Sequence, residues 1–206
     1  MDKQFPVLTV GITGGIGSGK TTICNLFENL GVPIYNADMR AKILMKSDAE
    51  LIAALRNTFG NDIYDAAGEL QRGLLADRVF NNSKELNKLN KLVHPRVRKD
   101  FEEFVLENKD KKYIIQESAL LIETGNYKRM DVVILVSAAL ETRIQRVMKR
   151  DACDREAVLA RISNQMTEEE KRPYCQYVIQ NNPGDDIEMQ VEKLHQILCK
   201  REFYWV

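Results

Sequence analysis

Apolar residues along this chain follow two rhythms. Short unbroken runs, the mark of strands buried on both faces, occur at Val7, Leu8, Val10 and Ile12, and again within Val32 to Tyr35, Lys112 to Glu117, Asp131 to Val136 and Tyr177 to Gln180. Apolar positions three and four apart mark amphipathic helices. They occur at Ile23, Leu26, Phe27 and Leu30, with Gly31 as the stop, and at Val191, Leu194 and Leu198 within Glu188 to Cys199. The helical rhythm also fills Met39 to about Asn108, through Ala41, Leu44, Met45, Leu51, Ile52, Leu55, Leu74, Leu75, Val79, Phe80, Leu86, Leu89, Leu92 and Val93. Gly60-Asn61-Asp62 and Ala67-Gly68-Glu69 break it as turns, and Pro95 marks a boundary or a kink. About seventy residues of helix between two strands far exceeds a crossover of a dozen or so. The pattern predicts one α/β domain over 1–206. Its parallel sheet core, flanked by helices, comes from 5–38, 112–140 and 176–206, with a helical insert at about 39–108.

The first predicted strand runs into Gly14-Gly15-Ile16-Gly17-Ser18-Gly19-Lys20-Thr21-Thr22, and a predicted helix follows. Glycine, four residues, glycine, lysine and then serine or threonine is the spacing of a P-loop. Phosphate oxygens need several backbone N–H groups pointing one way, and glycine lets the backbone come close and adopt positive φ. The helix that starts there adds free N–H groups and a positive dipole end. Lys20 supplies charge at the β- and γ-phosphates, and the Thr21 hydroxyl reaches Mg²⁺. A dinucleotide fingerprint or a protein-kinase glycine loop would each need glycine at position 20, which is Lys20.

Further candidates lie where predicted strands end, the edge at which open α/β sheets bind ligands. The second strand ends in Asn36-Ala37-Asp38, one strand over from the glycine loop. Asp38 is the candidate for orienting or deprotonating an acceptor hydroxyl, and it also suits an N-cap for a helix starting near Met39. Glu117 ends the third strand, where it could hold a water of the Mg²⁺ shell or be an ordinary strand-end acid. Leu120, Leu121, Ile122 and Glu123 follow as a short helix or turn. Ser137 looks like the N-cap of a helix whose Arg143, Arg146 and Arg150 share one face. Such a stripe is either a solvated face or a lid bringing arginine to a transferring phosphoryl group, and Arg146 is central in it. In the insert, Arg72, His94, Arg96 and Arg98 are either surface charges or groups that meet a substrate phosphate. The turn Asn181 to Asp185 is a place to contact a nucleotide base.

Composition narrows the class. Lys plus Arg equals Asp plus Glu, 30 each, which argues against a general nucleic-acid binder. Cys24, Cys153, Cys175 and Cys199 form no C-x-x-C, so free thiols in a reducing compartment are expected. No signal-peptide pattern or membrane-length apolar run is present, so a cytoplasmic protein is expected.

Taken in order, several of these stretches resemble the dephospho-CoA kinases. They are Gly11 to Thr21, Ala37-Asp38, Gly68 to Arg72, Val79-Phe80, His94-Pro95, Leu120 to Glu123, Arg146 to Asp151, Arg161 with Gln165, and Val178 to Asn181. The resemblance implies a nucleoside-monophosphate-kinase-like fold with a helical substrate domain and a lid at about 141–172. It implies ATP as phosphoryl donor and the ribose 3′-hydroxyl of dephospho-CoA as acceptor. Carried over by motif, Gly17 to Thr22 bind the ATP phosphates, Thr13 and Asp38 lie on the acceptor side with Arg72 and His94 as further substrate contacts, and Arg146 is the lid arginine. The chain departs from the family pattern at Asn36, Ala119 and Gln176-Tyr177. Asn36 cannot act as a base, so the proton-side work falls to Asp38. Two alternatives stand beside this reading. A shikimate-type kinase also places an acid after its second strand, but its acceptor triple glycine is missing. A GTP-dependent switch needs Asn-Lys-x-Asp, which Asn87 to Asn90 and Asn108 to Lys111 approach without the acid.

Overall fold

The computed structural model describes residues 5–80 and 82–200, without the side chains of Phe80 and Ser83. The expectation for the Phe80 side chain therefore falls outside the described residues. In chain order the elements are β1 (Leu8–Thr13), α1 (Lys20–Asn29), β2 (Ile34–Asn36), α2 (Ala37–Ser47), α3 (Ala49–Phe59), α4 (Arg72–Phe80), α5 (Ser83–Glu107), β3 (Tyr113–Glu117), β4 (Val132–Ser137), α6 (Leu140–Asp151), α7 (Arg155–Ile162), the single turn α8 (Glu168–Lys171), β5 (Tyr177–Gln180) and α9 (Ile187–Cys199). They divide into two compact units, Ala37–Phe104 and the described residues on either side of it.

The unit formed by the residues on either side of Ala37–Phe104 carries a parallel sheet in the order β2-β3-β1-β4-β5. Successive side chains of a strand point to opposite faces, and both faces are covered. On one face Leu8, Val10, Ile12, Val132, Ile134 and Val136 pack with Ile23 and Phe27 of α1 and Val191, Leu194 and Leu198 of α9. On the other, Val133 and Leu135 meet Leu121, Ile122 and Cys175. This two-sided burial is why the strands read as unbroken apolar runs. The sheet order corrects one expectation. β2 pairs with β3, at Asn36 with Glu117, and β3 alone separates it from β1, so the end of β2 lies two strands from the glycine loop. The chain returns from the helical insert into the gap between β2 and β1, and that return is invisible in local pattern.

The helical unit has its own core, with Leu51, Leu55, Phe59, Ile63, Leu75, Val79 and Val93 buried together. Arg40 of α2 and Asp100 of α5 form a two-pronged ion pair. Pro95 is not a boundary, because α5 runs through it. Val93 and Val97 pack into the same core on either side of the proline, and that burial outweighs the lost backbone bond. Among the described residues the four cysteines are free, and no helix is long and apolar enough to cross a membrane.

Candidate active site

All five strands are parallel, so their C-terminal ends share one edge of the sheet, and the loop that leaves β1 lies there. Gly19 adopts φ 90° just before α1, and Ile23 N–H to the Gly19 carbonyl, at 3.1 Å, is the helical bond that opens α1. The N–H groups of Lys20, Thr21 and Thr22 therefore have no acceptor within the helix. No acidic residue lies in the first turn of α1 to compete with an anion. The Lys20 ammonium lies back on the loop, donating to the carbonyls of Gly14 at 3.0 Å and Gly15 at 3.3 Å.

The loop is gripped from behind by α6 and its neighbours. Arg143, expected as part of a surface stripe, is buried, and its Nε donates to the Ile16 carbonyl at 3.0 Å. The Ile16 N–H donates to Gln165 Oε1 at 2.8 Å, so both sides of that peptide are held. Gly17 has φ 79°, and a Cβ there would stand 2.4 Å from the Arg143 carbonyl, so close packing as well as phosphate access requires glycine. Arg146 reaches the Ser18 carbonyl at 3.5 Å and Asn181 Oδ1 at 3.4 Å, while Asn181 Nδ2 donates to the Ser18 carbonyl at 2.8 Å. Arg150 turns away to Asp151, as does Arg161 of α7, and the two guanidiniums hold that exposed carboxyl down at about 2, Arg150 contributing most. Of the predicted stripe, Arg143 and Arg146 meet the loop and Arg150 does not.

Glu117 is buried at the end of β3. It accepts from the Thr21 hydroxyl at 3.0 Å and from the Asn36 amide at 2.8 Å. The pair Thr21 and Glu117 offers oxygen donors only, the set Mg²⁺ prefers. Among the described residues no group of three or more His, Cys, Asp or Glu is arranged to hold a metal. Thr13 ends β1, buried, with its hydroxyl 3.5 Å from the Ala119 carbonyl. The same carbonyl accepts from the fully buried ammonium of Lys171, which also pairs with Glu123 at 2.9 Å.

The family model for dephospho-CoA kinase matches residues 8–186. The chain belongs to the dephospho-CoA kinase family. A dephospho-CoA kinase of Leptospira interrogans is 36% identical over 198 residues, covering 96% of each chain. One from Bacteroides fragilis is 34% identical over 197 residues with the same coverage. Among solved structures, one from Thermus thermophilus superposes with a TM-score of 0.81 at 34% identity, covering 96% of this chain and 99% of that one. The dephospho-CoA kinase from Campylobacter jejuni gives 0.64 at 25% identity, covering 95% and 100%.

The candidate site residues are distributed between the two units. Thr13, Gly14 to Thr22, Glu117 and Arg146 belong to the sheet unit, and Asp38, Arg72 and His94 to the helical unit. Asp38 is exposed in the first turn of α2, past its opening residue Ala37, and so is not at the cap position. Arg72 opens α4 and is exposed. His94 is half-buried in α5, and burial, then the Arg98 charge, lowers its pKa. Ser137 is not a cap either. β4 continues through it, α6 starts at Leu140 behind Ala139, and the Ser137 hydroxyl donates to Glu168 at 2.5 Å. Sequence reasoning missed the contacts of Asn36, Arg143, Gln165 and Lys171. Each bridges positions 81, 127, 149 and 52 residues apart, and no local spacing encodes such pairs. Gln165 was visible only as one residue of a family motif.

Proposed function

We propose that this protein transfers the γ-phosphoryl group of ATP to the ribose 3′-hydroxyl of dephospho-CoA, giving coenzyme A and ADP. The observation that carries the reading is a complete glycine loop, at the end of a central parallel strand, in a chain related to dephospho-CoA kinases over nearly its whole length. Backbone N–H groups from Gly17 to Thr22, with Gly14, Gly15 and Ile16 shaping the turn, hold the phosphates of ATP. Lys20 stabilises charge that develops on the transferring group. Thr21 through its hydroxyl, and Glu117 through the ion's water shell, would hold Mg²⁺, which would supply positive charge against the phosphates of ATP. Asp38 takes the proton of the acceptor hydroxyl as its oxygen bonds to phosphorus and the bond to ADP breaks. Arg146 presents a planar fork to phosphoryl oxygens from a lid formed by about 141–172. Thr13, Arg72 and His94 recognise dephospho-CoA. A long acceptor suits an insert larger than a minimal crossover, because more surface is needed to exclude water.

An ADP-release assay with ATP and Mg²⁺ tests this, offering dephospho-CoA, adenosine, AMP and shikimate one at a time. Dephospho-CoA should support turnover well above the others. Turnover on shikimate or AMP with dephospho-CoA inert would reject the acceptor. No turnover on any acceptor, with binding selective for GTP, would support a switch instead.

A further inference from the structure

Asn36 has no place in the chemistry above, yet its position is tightly determined. It ends β2, and strand register sets it beside Glu117, which ends β3. Its amide donates to Glu117 Oε2 at 2.8 Å, while the Thr21 hydroxyl donates to Oε1 at 3.0 Å. A carboxylate has no proton to give, so the amide nitrogen of Asn36 must be the atom that faces it. Glu117 is only 6% exposed, and each of its oxygens has a side-chain donor. With one oxygen on Asn36 and the other on Thr21, the carboxylate is held at both oxygens.

We propose that Asn36 is a positioning residue for Thr21. It fixes Glu117 so that Oε1 takes the Thr21 hydroxyl proton, which leaves the hydroxyl lone pairs directed away from Glu117 and available to a divalent cation. The amide donates to Glu117 without placing a second negative charge 2.8 Å from it. The inference rests on the kinase reading only for the ligand, a nucleotide triphosphate with its cation, and not for the acceptor.

The test is nucleotide binding without turnover. The Kd of ATP is measured by calorimetry in excess Mg²⁺ and again in EDTA, and the ratio of the two values is the gain due to the cation. Asn36→Leu keeps the size and removes the donor, and Asn36→Ala is the second variant. Both should bind ATP in EDTA as the wild type does and lose about tenfold of the Mg²⁺ gain, the size of one charge-assisted hydrogen bond. In a Glu117→Gln background, Asn36→Leu should have no further effect on that gain, because the two residues act as one unit. Equal weakening with and without Mg²⁺ would mark Asn36 as merely structural and overturn the proposal. An unchanged Mg²⁺ gain in folded variants would overturn it too, as would additive losses in the double variant. Failure of the acceptor assignment would leave all of these outcomes readable.

Discussion

Lys20 lies on the carbonyls of Gly14 and Gly15, so its charge is already inside the loop it serves. Lys20→Ala should lower turnover by about 10²–10³-fold, the usual scale for one electrostatic contact to the transition state, with the circular dichroism spectrum unchanged. Near-normal turnover in a folded variant would remove the loop from the mechanism. Asp38 offers a sharper distinction, because it is exposed in the first turn of α2 and holds no cap. Asp38→Asn should cost about 10²–10⁴ in kcat and leave ATP affinity close to wild type. Equal kcat values would show that the acceptor hydroxyl needs no carboxylate at this position. The residue types of the loop were legible in the sequence because they are contiguous and each answers one demand of a phosphate group. Asn36 was legible only as something that is not a base. Its partner sits on a strand 81 residues away, and that pairing appears only once the sheet is assembled.

At the scale of elements, the glycine loop and α6 form one packed device. A Cβ on Gly17 would meet the Arg143 carbonyl at 2.4 Å and Val147 Cγ2 at 2.9 Å, and the residue has φ 79°. Gly17→Ala should therefore destabilise the fold by about 1–2 kcal/mol from the left-handed backbone alone. At roughly 2–4 °C per kcal/mol for a chain of this size, thermal unfolding should begin several degrees lower, and ATP binding should weaken with it. An unchanged melting temperature would contradict the packing described here. Most strands and helices were legible from periodicity, since β5 and its neighbours are covered on both faces and α9 on one. Three local signals misled. Ser137 suits a helix start by residue type, but its hydroxyl is taken by Glu168. Pro95 suits a helix end or a kink, and of these the end is excluded, because Val93 and Val97 hold α5 in the core on both sides. Adjacency in sequence suits β2 beside β1, but β3 enters between them. In each case a tertiary contact outweighs a preference worth at most a few kcal/mol.

At the scale of the molecule, the helical unit carries a titratable group whose burial links stability to pH. His94 is half-buried, and its pKa is lowered from 6.5, first by burial and then by Arg98. The unfolded chain binds this proton more readily than the folded one, so stability falls as pH drops below the ordinary histidine value and goes on falling through the lowered folded value. Urea midpoints measured from pH 7.5 to 5.5 should decrease toward acid, and His94→Gln should flatten that slope. A steeper slope in the variant would contradict the burial of the ring. Family membership covers nearly the whole chain, and both the glycine loop and the helical insert lie within the matched residues 8–186. The position of the transferred phosphate identifies the acceptor hydroxyl, and phosphorus NMR reads that position. Wild-type protein incubated with ATP, Mg²⁺ and dephospho-CoA should give one new phosphomonoester resonance coupled to the ribose H3′, with ADP formed in equal amount. A phosphate at any other position, or ADP formed without a new phosphomonoester, would contradict the account.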